Sequence, residues 1–399
     1  ERNMASQRKN RVLVIDSEAA SALEFLKAGL LYPVVSLMNK TEVCEVLSTS
    51  TVNKKIFPFP FILAPSGKRN EVVLQEMHAG EKLDLICNGE LFATLIVEEV
   101  FEIDPKERLR HIYGTDDETH PGVRSTSKRL GKYAVCGDYT LAHEIPDLHK
   151  EYIKEAIELL NAKNITAIMM AVNPLHRAHE KLIRQSLESS DLTVIFLLKP
   201  YETADLQYNL RYEALKYFID NYLPKNRVII VPLETNYIFA GINEIIIDAI
   251  VAKNYGCTKL TIGPNHAGLG MYYDSNTNKS ILDRVTDIGI NISIASEYVY
   301  CNICKTLVST NTCPHGQHHH ISYHAESILE LLKLGIVPPA VLVRKEISAL
   351  LLSKMFKNRF KNLEKMYYNL LPIGGLLESH TEEEFYKELM NLYQTTSLT

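Results

Sequence analysis

The chain has 399 residues, 46% of them hydrophobic and 23% charged, with a formal net charge of −5. That composition is typical of a soluble globular protein, and the length exceeds what one ordinary core needs, so two or three domains are expected. No long basic stripe is present, which argues against nucleic acid as a partner. No stretch approaches the roughly 18 to 20 uninterrupted apolar residues that span a bilayer, and the N-terminus lacks the apolar centre of a signal peptide. A cytoplasmic protein with no membrane partner is expected. Seven cysteines, three of them clustered, suit a reducing compartment with a metal site better than a disulfide framework.

Up to about residue 145 the sequence reads as short β-type runs between turn signals, including "KLDLICNG", "LFATLIVEEVFEI" and "KYAVCGDYTL". A β-rich first domain is expected there. "YGTDDETHPGV" (113–123) is dense in turn formers and charge and reads as an ordered loop.

From residue 151 the rhythm changes. Amphipathic helical segments alternate with the runs "ITAIMMAV", "TVIFLLKP", "RVIIVPL" and "KLTIGP". Continuous Ile/Val/Leu runs between such helices indicate a parallel sheet covered on both faces, a doubly wound α/β domain reaching to about residue 300. These sheets bind ligands beyond the carboxyl ends of their strands, where "AVNPLHRAH" and "GPNHAG" both fall. His176 and His179 lie three apart at a helix start and share a face. A helix-opening proline, Pro174, and the free N–H groups of a first turn favour anions there. A lone H-x-x-H is weak evidence and is as often a capped surface feature. The second loop, Gly263 to Gly268, also follows a strand, and its glycines permit close approach of backbone to ligand. Two histidine-bearing loops at adjacent strand ends favour a site.

Beyond residue 300 comes "CNICKTLVSTNTCPHGQHHH". Cys301, Cys304 and Cys313, with either His315 or His318 as fourth ligand, suit structural, tetrahedral Zn²⁺. The alternative is three buried free thiols. A helical tail follows, containing "SILELLKLG", "VRKEISALLL" and "EEEFYKELMNLYQ". The expected domain limits are 1–148, 149–299 and 300–399.

N-P-x-H-x-x-H, followed about ninety residues later by "NYGCTKLTIGPNHAG", with "YGTDDETHPGV" upstream and "GIVPP" downstream, resembles the ATP sulfurylase (sulfate adenylyltransferase) family over most of residues 10 to 350. The resemblance implies a PUA-like N-terminal domain, a Rossmann-like nucleotidyltransferase domain and a small C-terminal domain, which in some members carries zinc. It also implies attack of a sulfate oxygen on the α-phosphorus of ATP with loss of pyrophosphate. By position, Asn173, His176, His179 and His266 match the family pattern, with the histidines of the first motif on the phosphates.

The departures are systematic. Met170 and Val172 stand where the family has the glutamine and arginine that hold sulfate, and Pro264 and Asn265 replace an arginine and an aspartate. Tyr237 to Gly241 replaces Met-Arg-Tyr-Ala-Gly, and Ser327 stands in place of a further arginine. A hydrogen bond to a charged group contributes roughly 1.5 to 3 kcal/mol, so losing two or three removes on the order of 3 to 9 kcal/mol of sulfate binding. A dianion entering a wall of Met, Val and Pro also gives up hydration that nothing replaces. Arg177, Lys199 or Arg211 offers charge from other directions, although Arg177 reads first as a residue of a solvated helix face, and Arg211 reads equally as either.

The expectation is therefore nucleotidyl transfer from a nucleoside triphosphate, expected to be ATP, with Mg²⁺ on its phosphates, to an unidentified small acceptor less anionic than sulfate. Asn173, His176 and His179 carry the chemistry. Gly263, His266, Ala267 and Gly268 join them around the nucleotide, while Met170, Val172, Pro264 and Ala267 shape the acceptor pocket. Tyr272, Tyr273 and Asp274 are candidates for ribose or base, or are packing residues. The alternative is a non-catalytic, nucleotide-binding descendant of the same fold. The oligomeric state stays open, a homo-oligomer included.

Overall fold

The computed structural model describes residues 9–201, 206–239, 241–264, 285–372, 375 and 378–393. Beside a short hairpin of Thr51–Val52 and Lys55–Ile56, the N-terminal part holds the strands β1 (Arg11–Ile15), β2 (Leu63–Pro65), β3 (Lys82–Cys87), β4 (Glu90–Ile96), β5 (Glu99–Glu102), β6 (Leu130–Cys136) and β7 (Tyr139–Leu141). They form a four-stranded sheet of order β1-β3-β4-β7 and a three-stranded sheet of order β2-β6-β5. β1 runs parallel to β3, Leu13 opposite Leu85, and the other pairs are antiparallel. Between β6 and β7 the chain passes through Gly137 at φ +151°, where a Cβ would sit 1.9 Å from the Ile96 carbonyl oxygen, so only glycine fits this turn.

Helices are more prominent here than the β-type runs suggest. α1 (Ser17–Lys27), α2 (Lys40–Thr49), α3 (Lys68–Gln75), α4 (Pro105–Tyr113) and α5 (Pro121–Ser127) lie among the strands. Their starts are encoded locally: Asp16 caps α1 by accepting the Ala19 N–H, and Asn39 with Glu42 forms a capping box on α2. The segment 113–123 is not wholly a loop. Its last three residues open α5, because Pro121 sits in the first turn and His120 Nδ1 accepts the N–H groups of Gly122 and Val123 at 3.1 and 3.4 Å.

The alternating region follows its expected order: α6 (Lys150–Leu160), β8 (Ile165–Met170), α7 (Arg177–Leu187), β9 (Leu192–Pro200), α8 (Tyr208–Tyr222), β10 (Val228–Thr235), α9 (Glu244–Asn254), β11 (Lys259–Ile262) and β12 (Asn291–Ile294). The five-stranded sheet has the order β10-β9-β8-β11-β12, and β11 is parallel to both β8 and β12. All six residues of β8 are buried, as a strand covered on both faces requires. The C-terminal part contains β13 (Tyr298–Cys301), β14 (Thr306–Ser309) and β15 (His320–Ser322), an antiparallel sheet centred on β13, then α10 (Ala325–Lys333), α11 (Lys345–Met355), α12 (Leu363–Leu370) and α13 (Glu382–Tyr393).

By compactness the chain divides into two units, one of residues 1–169 and 233–294, the other of residues 170–232 and 295–399. The first motif, the Cys/His segment and the helical tail all belong to the second unit.

Candidate active site

β8 ends at Met170, and the next residues turn sharply. Ala171 is exposed, whereas Met170 and Val172 are 4% and 1% exposed. Val172 adopts φ +53°, a left-handed conformation that costs a β-branched residue energy, so the turn is held by its surroundings. Arg211 supplies part of that hold. Its guanidinium donates to the carbonyls of Ala171 (2.7 Å), Leu198 (2.8 Å) and Leu206 (3.0 Å), tying the ends of β8 and β9 together. It is 4% exposed, so it is a buried scaffold residue. Lys199 is exposed, 5.6 Å from the Tyr208 ring.

The Asn173–Pro174 peptide is cis. Asn173 Oδ1 accepts the Leu206 N–H at 3.1 Å, which fixes the amide orientation and leaves Nδ2 as a donor with no partner among the described residues. His176 is the N-cap of α7, and its backbone N–H donates to His179 Nδ1 at 3.2 Å. A nitrogen that accepts this bond carries no proton, so the neutral His179 ring carries its N–H on Nε2. The two rings stack with centroids 3.6 Å apart and 16° between planes, and Tyr323 lies 5.2 Å from the His176 ring on a near-parallel plane. Burial pushes the His179 pKa down to about 4. Burial, and after it the neighbouring His179, holds His176 well below the usual histidine range. Both are therefore neutral near pH 7, donating hydrogen bonds rather than positive charge. His176 Nδ1 is buried without a hydrogen-bond partner among the described residues.

The first turn of α7 is clamped by the segment that follows the "GIVPP" motif. The Arg177 N–H donates to the Leu342 carbonyl at 2.9 Å, and Arg177 Nε donates to Ala340 at 3.1 Å. Glu180, 7% exposed, takes a bidentate pair from Arg344 at 3.0 and 2.8 Å and lies 3.5 Å from Arg177. Arg177 is thus half-buried and engaged, not a residue of a solvated face. Helical spacing alone could not show this, because its carbonyl partners, Ala340 and Leu342, lie more than 160 residues away. Glu180, Tyr323 and Arg344 escape sequence reading for the same reason.

Of the second loop, Gly263 and Pro264 are described. They directly follow β11, Gly263 half-buried and Pro264 exposed, and a Cβ on Gly263 would meet open space. Asn265, His266, Ala267, Gly268, Tyr272, Tyr273 and Asp274 lie outside the described residues.

The structure gathers Cys301, Cys304, Cys313 and His315 so that their ligand atoms all lie within 4.8 Å of one another. His315 Nδ1 is 3.4, 3.3 and 3.5 Å from the three sulfurs in that order, and the sulfurs of Cys304 and Cys313 are 4.0 Å apart. Zinc–ligand bonds of tetrahedral length imply edges of about 3.5 to 3.8 Å, so the donor set fits that ion. The hairpin joining β13 to β14 explains the C-x2-C spacing: Cys301 ends β13, Lys305 takes φ +57°, and the Cys304 N–H donates to the Cys301 sulfur. His318 is not part of the set; His320, paired with Cys301 across β13 and β15, places Nε2 3.4 Å from the Cys313 sulfur.

Comparison with known proteins accounts for both halves of the chain. The family model "ATP-sulfurylase" matches residues 147–354, and a "PUA-like domain" model matches residues 1–144. The chain belongs to the ATP-sulfurylase family. A sulfate adenylyltransferase of Psychrobacter sp. strain PRwf-1 is 28% identical over 369 residues, covering 88% of this chain and 86% of that protein. Another, of Chloroflexus aurantiacus, is 30% identical over 355 residues, covering 85% and 90%. Among solved structures, the hexameric APS kinase from Thiobacillus denitrificans superposes with a TM-score of 0.63 at 18% identity. That match covers 86% of this chain but 62% of the other, and it speaks to fold alone. In this ATP-sulfurylase relative the first motif keeps its histidines, while the strand end before it is apolar.

Proposed function

We propose that this chain is an enzyme that transfers a nucleotidyl group from a nucleoside triphosphate, ATP by preference, to an acceptor less anionic than sulfate, releasing pyrophosphate. Mg²⁺ enters with the triphosphate as part of the substrate. The observation that carries the proposal is the first motif. A stacked histidine pair opens α7, one ring oriented by a backbone N–H, beside an asparagine whose Nδ2 has no partner among the described residues. Two neutral imidazoles, an amide and a helix N-terminus form a donor set suited to phosphate oxygens, and donors fixed in advance stabilise charge as it builds on phosphorus.

In this reading Asn173 orients the α-phosphate, and His176 and His179 steady the charge on phosphorus and on the departing pyrophosphate. By the family pattern we assign Gly263, His266, Ala267 and Gly268 to nucleotide binding. By the same pattern we assign Met170, Val172, Pro264 and Ala267 to the acceptor, and their apolar character disfavours a dianion. Zn²⁺ on Cys301, Cys304, Cys313 and His315 acts structurally, since four protein ligands leave no open position. We also place the domain limits at 148/149 and 299/300. None of the seven cysteines is in a disulfide, which supports a cytoplasmic location.

The test is ATP binding by calorimetry together with ATP–pyrophosphate exchange, in the wild-type chain and in His176→Ala and His179→Ala. Loss of exchange in both variants supports the assignment. Retained exchange removes the histidines from the mechanism. ATP binding without exchange for any acceptor favours the second reading, a nucleotide-binding protein without turnover, which the lost anion-holding residues also support.

A further inference from the structure

The first compact unit holds a cavity of about 410 Å³, open at one side and lined by residues of that unit alone. Its walls are mainly apolar, built by Ile15, Ile62, Leu63 and Leu130. Three arginines line it: Arg69 is exposed to solvent, and the two inner ones, Arg129 and Arg108, differ in how their charge is met. Arg129 is neutralised: it pairs with Asp16 at 2.5 and 2.7 Å, lies 3.3 Å from Glu18, and stacks on Tyr237. Arg108, on α4, is 6% exposed and has no carboxylate partner among the described residues. Its contacts are the Pro60 carbonyl, to which Nη1 donates, and the face of Phe59 at 5.4 Å.

A buried, unpaired cation is costly unless a counter-charge reaches it. Burial pushes the Arg108 pKa down to about 10, so the group remains charged near pH 7. The cavity mouth adds to the positive field, since α3 begins there at Gly67 without a side chain capping its N–H groups, and Arg69 lies on its first turn.

We propose that this cavity is a binding site for a small carboxylic acid with an apolar body, its carboxylate on Arg108 and its hydrocarbon against Ile62, Leu63 and Leu130. The charge balance selects the class. Arg108 is the one buried guanidinium of the lining without a carboxylate partner among the described residues, so it matches one negative charge, and its planar fork suits a carboxylate. The apolar walls favour a hydrocarbon body over a bare inorganic dianion, which would lose its hydration. The volume lies in the ordinary range for a small-molecule pocket. The site is independent of the histidine motif.

The test uses the full chain and a panel of straight-chain carboxylates from butyrate to decanoate, the matching neutral amides, and inorganic sulfate, each followed by calorimetry and by thermal unfolding. The expected result is one-to-one binding of at least one carboxylate, at least tenfold tighter than its amide, with sulfate silent. Arg108→Met is expected to abolish that binding. Ala64→Phe, which fills the cavity and leaves the charge in place, is expected to abolish it too, and decides the matter if Arg108→Met fails to fold. Equal binding of acid and amide, unchanged binding in either folded variant, or no binding of any carboxylate to the wild-type chain would overturn the proposal.

Discussion

Arg344 closes a bidentate ion pair on Glu180, at 3.0 and 2.8 Å, across a sequence separation of 164 residues. Glu180 directly follows His179, so the pair sets the rotation of the helix that presents the histidines. Arg344 also lies 3.8 Å from the Tyr222 ring centroid, which keeps the guanidinium in place. Removing one partner of a buried pair strands the other, so Glu180→Gln is expected to cost about 3 kcal/mol of stability. Urea unfolding measures this. ATP affinity is expected to fall in the same variant, because α7 loses its anchor. The double change Glu180→Leu with Arg344→Met is expected to recover much of the stability and little of the affinity. Wild-type affinity in that double variant would show that the pair does not position the histidines.

The depressed histidines make stability depend on pH with a defined sign. Between about pH 4 and pH 6.5 the unfolded chain binds protons that the folded His179 refuses. The contribution is therefore fully present above pH 6.5 and is lost as pH falls towards 4. At about 1.4 kcal/mol per pH unit the His179 shift is worth roughly 3 kcal/mol at most. Urea midpoints measured across this window are expected to fall on acidification, and His179→Asn is expected to flatten the profile. An unchanged slope in that variant would place the pH dependence elsewhere.

Removing the zinc proposed on Cys301, Cys304, Cys313 and His315 is expected to loosen the three-stranded sheet around β13. Zinc binding to a site of this kind contributes on the order of 10 kcal/mol to the fold of the segment that carries it. Chelation, or Cys304→Ser, should lower the melting temperature and raise amide exchange in 298–322 while leaving the histidine pair's pH profile intact. His318→Ala should change neither metal content nor melting. Loss of metal in His318→Ala would displace His315 from its role.

How far the sequence can be read depends on the distance over which each feature is encoded. β8, α7, β9, α8, β10, α9 and β11 each carry their own periodicity, and all follow the order that the apolar runs imply. The helix α5 was hidden because Pro121 and Gly122 read as turn formers, whereas in context the proline occupies a first helical turn capped by His120. Cys301, Cys304 and Cys313 are local in sequence, and the choice of His315 over His318 needs the course of the connection after β14. Arg211 and Arg177 were ambiguous because a cation on a helix is equally consistent with solvent or with a carbonyl. Tyr323 over His176, Arg344 on Glu180 and Arg108 on the cavity wall depend on contacts between distant segments, which one sequence does not reveal.

The central claim is that the phosphate half of the site survives while the sulfate half does not. It is tested most directly by ATP–pyrophosphate exchange in the wild-type chain, measured with sulfate and, in parallel, with carboxylates, alcohols and amines. The account predicts exchange that sulfate does not stimulate and that at least one less anionic acceptor does. Exchange that depends on sulfate, at rates matching those of the sulfate adenylyltransferase relatives assayed alongside, would contradict it.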